Sequence, residues 1–190
     1  MKDRTLLVDA DIFAYVASSA TQKAYHFGGE GAAPAVAADL DEALRIAEGD
    51  IEDVANKLKA TKIIVCLTDD ANFRLGVYPQ YKGNRTDVQK PVNLKAVKDF
   101  YASRFETYQR PGLEADDCMG ILSTHKTLVA GEKIIVSTDK DMQTIPGMGR
   151  TRVKDQGYPG DVAFITDGAL QMHIAEKDMQ IGFRTGKVVN

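Results

Sequence analysis

What the chain lacks narrows the reading first. It has only two cysteines, Cys66 and Cys118, both in apolar segments. That is too few for a disulfide framework, so they read as reduced packing residues. No apolar run reaches the roughly 18 residues of a membrane-spanning helix. The N-terminus, MKDRTLLVDADIF, has neither a long apolar signal core nor a small-residue cleavage site, which points to a cytoplasmic location. His26, His125 and His173 are too scattered to form a zinc site. Internal repeats and low-complexity tracts are absent as well.

What remains is ordinary in bulk. The 190 residues suit a single domain, 44% of them hydrophobic and 27% charged. The net charge of −3, taken alone, disfavours a nucleic-acid partner. Setting aside seven acids treated below leaves 20 acidic against 24 basic residues, a mildly basic remainder. Net charge therefore decides nothing.

Strand and helix patterns alternate along the chain. Residues 5–10 read as a buried strand and Ile12 to Ala20 as a helix, with Asp11 suited to cap it. Residues 21–34 form a Gly/Ala-rich loop. Apolar positions recurring every three or four residues predict an amphipathic helix from Val36 to Leu58, packed on the sheet. Ile63 to Leu67 is the next strand. Residues 72–91 show no clean period and make a basic, Tyr-containing segment ending at Lys90-Pro91. A helix follows from Val92 to Phe105, a short strand from Glu106 to Gln109, a helix over 113–129 and a strand from Ile134 to Ser137. Two short strands at 150–154 and 161–165 and a helix from Asp167 to about Met179 complete the pattern. It predicts an α/β fold with a mainly parallel sheet.

Acids stand at the ends of these strands. Asp9, Asp69 and Asp139 close the runs TLLVD, KIIVCLTD and KIIVSTD, and Glu114-Ala-Asp116-Asp117 opens a helical pattern. In an open parallel sheet, ligands gather where strands end and helices begin. Any one of these acids could simply cap a helix or begin a turn. Together they predict one crowded rim, and crowded carboxylates repel one another unless cations intervene. Glu114 and Asp117 share a helix face; Asp139 and Asp141, two apart, can be aimed together by a turn. Oxygen ligands suit Mg²⁺ or Mn²⁺, so the chain reads as a metal-dependent enzyme acting on phosphate esters.

The loop Tyr78-Pro79-Gln80-Tyr81-Lys82-Gly83-Asn84-Arg85 closely follows the second of these strands. In a helical turn, Lys82 and Arg85 would face one direction and could hold a phosphate. Tyr81 offers a ring for base stacking, and Arg74 and Lys90 add nearby positive charge.

These elements resemble, in order, the bacteriophage and bacterial 5′–3′ exonuclease/flap endonuclease family. They are LLVDAD at 6–11, LTDDANFR at 67–74, YPQYKGNR at 78–85, GLEADDCMGIL at 112–122 and VSTDKDMQTIPG at 136–147. DANFR followed by YKGNR is similar to the phage branch. The resemblance implies a PIN-like nuclease, one catalytic domain over residues 1–190, with a mainly parallel central sheet flanked by helices and a helical arch at about 72–100. It implies that Asp9, Asp69, Glu114, Asp116, Asp117, Asp139 and Asp141 surround two divalent ions, Mg²⁺ or Mn²⁺. Lys82 and Arg85 would be catalytic at the scissile phosphate, and Tyr81, Arg74 and Lys90 would bind nucleic acid. Water would attack in line with divalent-ion assistance, on DNA with 5′ ends or flaps and on RNA–DNA hybrids, leaving 5′ phosphates. The family's C-terminal helix–three-turn–helix module has no recognisable place before Asn190. Its absence would make a missing C-terminal segment, or a partner supplying it, part of the working protein.

Two other readings stand beside this one. Asp9-Ala-Asp11 also suits a haloacid-dehalogenase-type phosphatase, with Asp9 as nucleophile and Asp11 as acid/base, but that leaves YKGNR and EADD unexplained. A non-cleaving half of a split nuclease, binding branched DNA or a partner protein, would keep the same residues.

Overall fold

The apolar triplet Leu6-Leu7-Val8 fixes the centre of the molecule. The computed structural model describes residues 3–25, 27, 34–83, 89–139, 141–142 and 145, and the backbone of strands 148–152, 162–166 and 169–173. Strand β1 (Arg4–Asp9) lies between β4 (Lys62–Cys66) and β6 (Glu132–Ser137), parallel to both. Edge strand β5 (Glu106–Tyr108) pairs parallel with β4. On the other side come β9 (Ala169–His173), parallel to β6, then β8 (Val162–Thr166), antiparallel to β9, and β7 (Met148–Arg152), antiparallel to β8. The sheet order is β5-β4-β1-β6-β9-β8-β7, mainly parallel as expected.

Alternation along the strands gives each face its own core. Leu6, Val8, Val65, Ile134 and Val136 pack against α1 (Ala10–Ala20), α2 (Leu40–Lys57) and α4 (Leu94–Arg104). Leu7, Ile64, Cys66 and Ile135 pack against α5 (Ala115–Thr124), where Cys118 and Met119 are buried. Leu6 and Leu7 are fully buried, worth about 1.5–3 kcal/mol each. Both cysteines are buried and free. No helix among the described residues is long and apolar enough to cross a membrane.

Four elements differ from their sequence patterns. The loop expected over 21–34 contains a strand, β2 (Gln22–Tyr25), paired antiparallel with β3 (Ala35–Ala38). The helix expected from Val36 therefore begins at Leu40, where Asp39 accepts the Glu42 N–H at 3.0 Å and sets the start. The helix expected over 113–129 ends at Thr124. The helix expected from Asp167 is instead strand β9 at Ala169–His173, since pairing with β6 outweighs a short local helical period. Of the segment expected as an arch, α3 (Phe73–Val77) is a short helix, while residues 94–100 belong to α4. There Val97 and Tyr101 are buried and the Tyr101 hydroxyl donates to Ala47 O at 3.1 Å, so that part belongs to the body of the domain.

Candidate active site at the carboxyl rim of the sheet

Parallel pairing brings the ends of β1, β4 and β6 to one edge, and α5 begins beside them. A cleft of about 1020 Å³ opens there. Asp9, Glu114, Asp116, Asp117, Asp139 and Asp141 line it, facing Arg74, Tyr81 and Lys82. Asp11 lines it too, although the sequence suggested a cap. The cap of α1 is Asp9, which accepts the Ile12 N–H at 3.4 Å; Asp11 pairs with Lys98 of α4 at 2.7 Å. An Asp11 so engaged is poorly placed as the acid/base of a phosphatase.

The strand ends are tied to one another. Ser137 Oγ donates to Asp9 Oδ2 at 2.8 Å and accepts the Asp139 N–H at 3.0 Å. Asp139 Oδ1 in turn accepts the Asp141 N–H at 2.8 Å. Burial, followed by the charge of Asp116, pushes the Asp9 carboxyl up to about 7. Burial, followed by Asp139 and Glu114, pushes Asp116 up to about 6.

The other acids meet cations. Arg74 holds Asp117 with two parallel hydrogen bonds, Nη1 to Oδ2 at 2.7 Å and Nη2 to Oδ1 at 2.8 Å. These bonds hold Asp117 below its usual range against the opposing effect of burial. Glu114, only 6% exposed, receives Lys82 Nζ at 2.7 Å, Asn72 Nδ2 at 2.8 Å and the Tyr81 hydroxyl at 3.0 Å. Burial opposes ionisation of Glu114, but the Lys82 and Tyr81 hydrogen bonds and the nearby positive charges outweigh it and lower its pKa. Segment 72–82 is thus fastened to the start of α5 through two carboxylates, Glu114 and Asp117.

Not every expected residue meets the others. The Asp69 carboxylate accepts the Gly112 N–H at 2.8 Å and is not among the cleft-lining residues. Lys82 reaches the rim from a left-handed backbone conformation (φ 56°), not from the helical turn the spacing suggested. Arg85 lies outside the described residues; Lys90 is described and exposed, away from the cleft lining. Asn72, Thr68 and Ser137 escaped the sequence reading. Asn72, accepting the Arg74 N–H at 2.9 Å, carried the one usable signal: an N-cap residue before a short apolar run. Thr68, whose Oγ1 accepts the Ala115 N–H at 3.0 Å, and Ser137, bonded to Asp9 and Asp139, act through hydrogen bonds that no spacing reveals.

The acids of the rim offer carboxylate oxygens, the donor type a hard divalent cation takes. Burial raises Asp9 and Asp116 first and repulsion among the acids adds to it; a cation would relieve that repulsion. By donor chemistry and charge the residues fit a metal. Among the described residues, however, no three of Asp, Glu, His or Cys close into a group arranged to hold an ion.

Known proteins resemble this chain in sequence and in fold. An exonuclease of Escherichia phage T7 is 36% identical over 115 residues, covering 57% of this chain and 38% of the relative. An exodeoxyribonuclease of Enterobacteria phage T3 is 35% identical over 115 residues, with the same coverage. The chain thus spans well under half the length of these relatives. A bacteriophage T5 flap endonuclease, solved with DNA and metal ions, shares the fold at a TM-score of 0.51. It is 20% identical, and the likeness covers 75% of this chain and 51% of that one. Residues 4–157 match the 5′–3′ exonuclease N-terminal resolvase-like domain, and the chain belongs to that family.

Proposed function

We propose that this chain carries the catalytic domain of a divalent-metal-dependent 5′–3′ exonuclease or flap endonuclease. It hydrolyses phosphodiester bonds near the 5′ ends of DNA, or of RNA–DNA hybrids, to give 5′-phosphate products, and works in the bacterial cytoplasm. The observation that carries this reading is the meeting of Asp9, Asp116 and Asp139 with Lys82 and Arg74 in one cleft at the carboxyl rim.

Asp9, Asp116, Asp139 and Asp141 would hold Mg²⁺ or Mn²⁺, two ions per site, with Glu114, Asp117 and Asp69 joining if their present partners let go. The ions supply charge for the phosphoryl oxygens and make water easier to deprotonate. The side chains do the rest. Asp9 and Asp116, raised to about 7 and about 6 chiefly by burial, would be kept ionised as ligands by the charge of the ions. Lys82 and Arg74 stay protonated; for Lys82 burial is outweighed by its bond to Glu114 and the charge there, and for Arg74 the paired bonds to Asp117 dominate. Both can turn their charge to the scissile phosphate. Arg85, three residues beyond Lys82, would join them, and the stretch between β4 and α4 would arch over the cleft.

The test is cleavage of a labelled 5′-flap duplex and a plain duplex with Mg²⁺, Mn²⁺ or EDTA. Metal-dependent release of short 5′-phosphorylated products is expected. Calorimetric metal binding without cleavage would point instead to a non-cleaving, DNA-binding half of a nuclease. The absence of both metal binding and cleavage would refute the reading.

A further inference from the structure

Segment 72–82 leaves the two acids at the start of α5 no carboxylate oxygen without a donor. Asp117 Oδ1 takes Arg74 Nη2, and its Oδ2 takes Arg74 Nη1 together with the Glu114 N–H at 3.0 Å. Glu114 Oε1 takes Lys82 Nζ and Asn72 Nδ2, and its Oε2 takes the Tyr81 hydroxyl, with Arg74 Nη1 3.5 Å away. Two side-chain cations thus stand against the acids that a divalent ion would need. Asp116, between them in the chain, has Asp139, Glu114 and Asp117 as like-charged neighbours.

Arg74 can change partners while its backbone stays in place. The Phe73 N–H donates to Gly112 O at 3.0 Å, the Arg74 N–H donates to Asn72 Oδ1 at 2.9 Å, and Arg74 O accepts the Tyr78 N–H at 2.7 Å. The Arg74 side chain lines the cleft and is 27% exposed, so solvent and ligands reach it. A phosphate offers a guanidinium the same two-pronged acceptor as a carboxylate. A divalent cation in turn offers a carboxylate twice the charge of a guanidinium.

We infer that Arg74 is an internal counter-ion exchanged when substrate binds. The phosphate takes the guanidinium, the vacated Asp117 turns to a divalent cation, and each ligand thereby raises the affinity for the other. This rests on the nuclease reading above. One ion pair, Arg74–Asp117, becomes two, Arg74–phosphate and Asp117–cation. Lys82 contributes less, because Asn72 and Tyr81 hold Glu114 whether or not Lys82 leaves. The coupling is reciprocal: a cation frees Arg74 for phosphate as much as phosphate frees Asp117 for a cation. A cation alone must compete with the fork, so the rim fills readily only when a phosphate is present.

The experiment titrates Ca²⁺, replacing Mg²⁺ to slow hydrolysis, into the full chain by calorimetry, with and without a saturating single-stranded oligodeoxynucleotide. In the parent the oligonucleotide should raise Ca²⁺ affinity about 5- to 150-fold. Direct attraction between phosphate and cation adds to this gain in every variant, so the difference between variants carries the test. Arg74→Gln should raise the DNA-free affinity for Ca²⁺ about 5-fold or more and shrink the gain by the same factor. Lys95→Gln, which removes an exposed charge paired with Asp99, should match the parent and separates partner exchange from net charge. Arg74→Lys, which keeps the charge without the fork, should fall between, and it carries the same test if Arg74→Gln does not fold. A gain in the Arg74 variants equal to the parent's would overturn the exchange alone. A parent that binds neither Ca²⁺ nor oligonucleotide would overturn the nuclease reading as well.

Discussion

Glu114 and Asp117 stand on the same rim as Asp9 and Asp116, and the two pairs differ in what faces them. Lys82, Asn72 and Tyr81 converge on Glu114, and Arg74 grips Asp117 in a fork. Asp9 faces Ser137, with Asp116 and Asp11 as like charges; Asp116 faces Asp139, Glu114 and Asp117, with Lys82 the only opposing charge among its main influences. The first pair is lowered in pKa and the second raised. Neighbouring carboxylates on one rim can therefore serve opposite ends. One pair fastens a basic segment by neutralising it, and the other retains an unmet demand for positive charge.

The comparison breaks most visibly at Asp139. Asp139→Ala should lower the cleavage rate by about 10³-fold or more, with far-UV circular dichroism unchanged; single-turnover assays on the flap duplex would read it. Next comes the pH dependence of Asp9. Its folded pKa lies above the unfolded value, so the native state holds the extra proton between about pH 4 and 7. Stability is lost as pH rises through that window. In EDTA, Asp9→Asn should gain on the parent across the window by up to about 4 kcal/mol and then level off. Urea titrations at several pH values would follow it, and Mg²⁺ should narrow the gap. A gap constant with pH would remove the idea of unmet charge.

Lys82→Ala should slow cleavage by about 10²-fold with calorimetric metal affinity largely retained. The smallest effect belongs to Arg74→Lys, which keeps the charge but loses the fork. A loss of about 1 kcal/mol in thermal stability is expected, vanishing when Asp117→Asn is already present.

Much of this was legible in the chain because strand-terminal acids announce themselves. LLVD and IIVSTD are buried parallel strands that run straight into Asp9 and Asp139, and parallel pairing alone brings their ends together. Asp69 shows where that logic stops. It ends the same kind of run, but the Gly112 N–H turns its carboxylate toward the β5–α5 connection, a long-range contact without a local pattern. The β2–β3 ribbon was hidden by its alanines, which favour neither strand nor loop strongly enough to be read. The commitment of Tyr81 and Lys82 to Glu114, more than thirty residues away, follows from tertiary approach alone.

Helix α5 carries a further consequence at its far end. Lys133, nearly buried on β6, donates its Nζ to Ser123 O at 3.0 Å and His125 O at 2.8 Å, where the helix stops. At the near end, Thr68 accepts the Ala115 N–H and Arg74 clasps Asp117. A ten-residue helix pinned at both ends acts as a ruler of set length. Deleting or inserting one residue between Asp117 and Ser123 would turn one end against the other by about 100°. Either the acids would leave the rim or the lysine would lose its carbonyls. Length variation in this part of the chain is therefore confined to the turn at 125–131, and α5 can change its side chains but not its count.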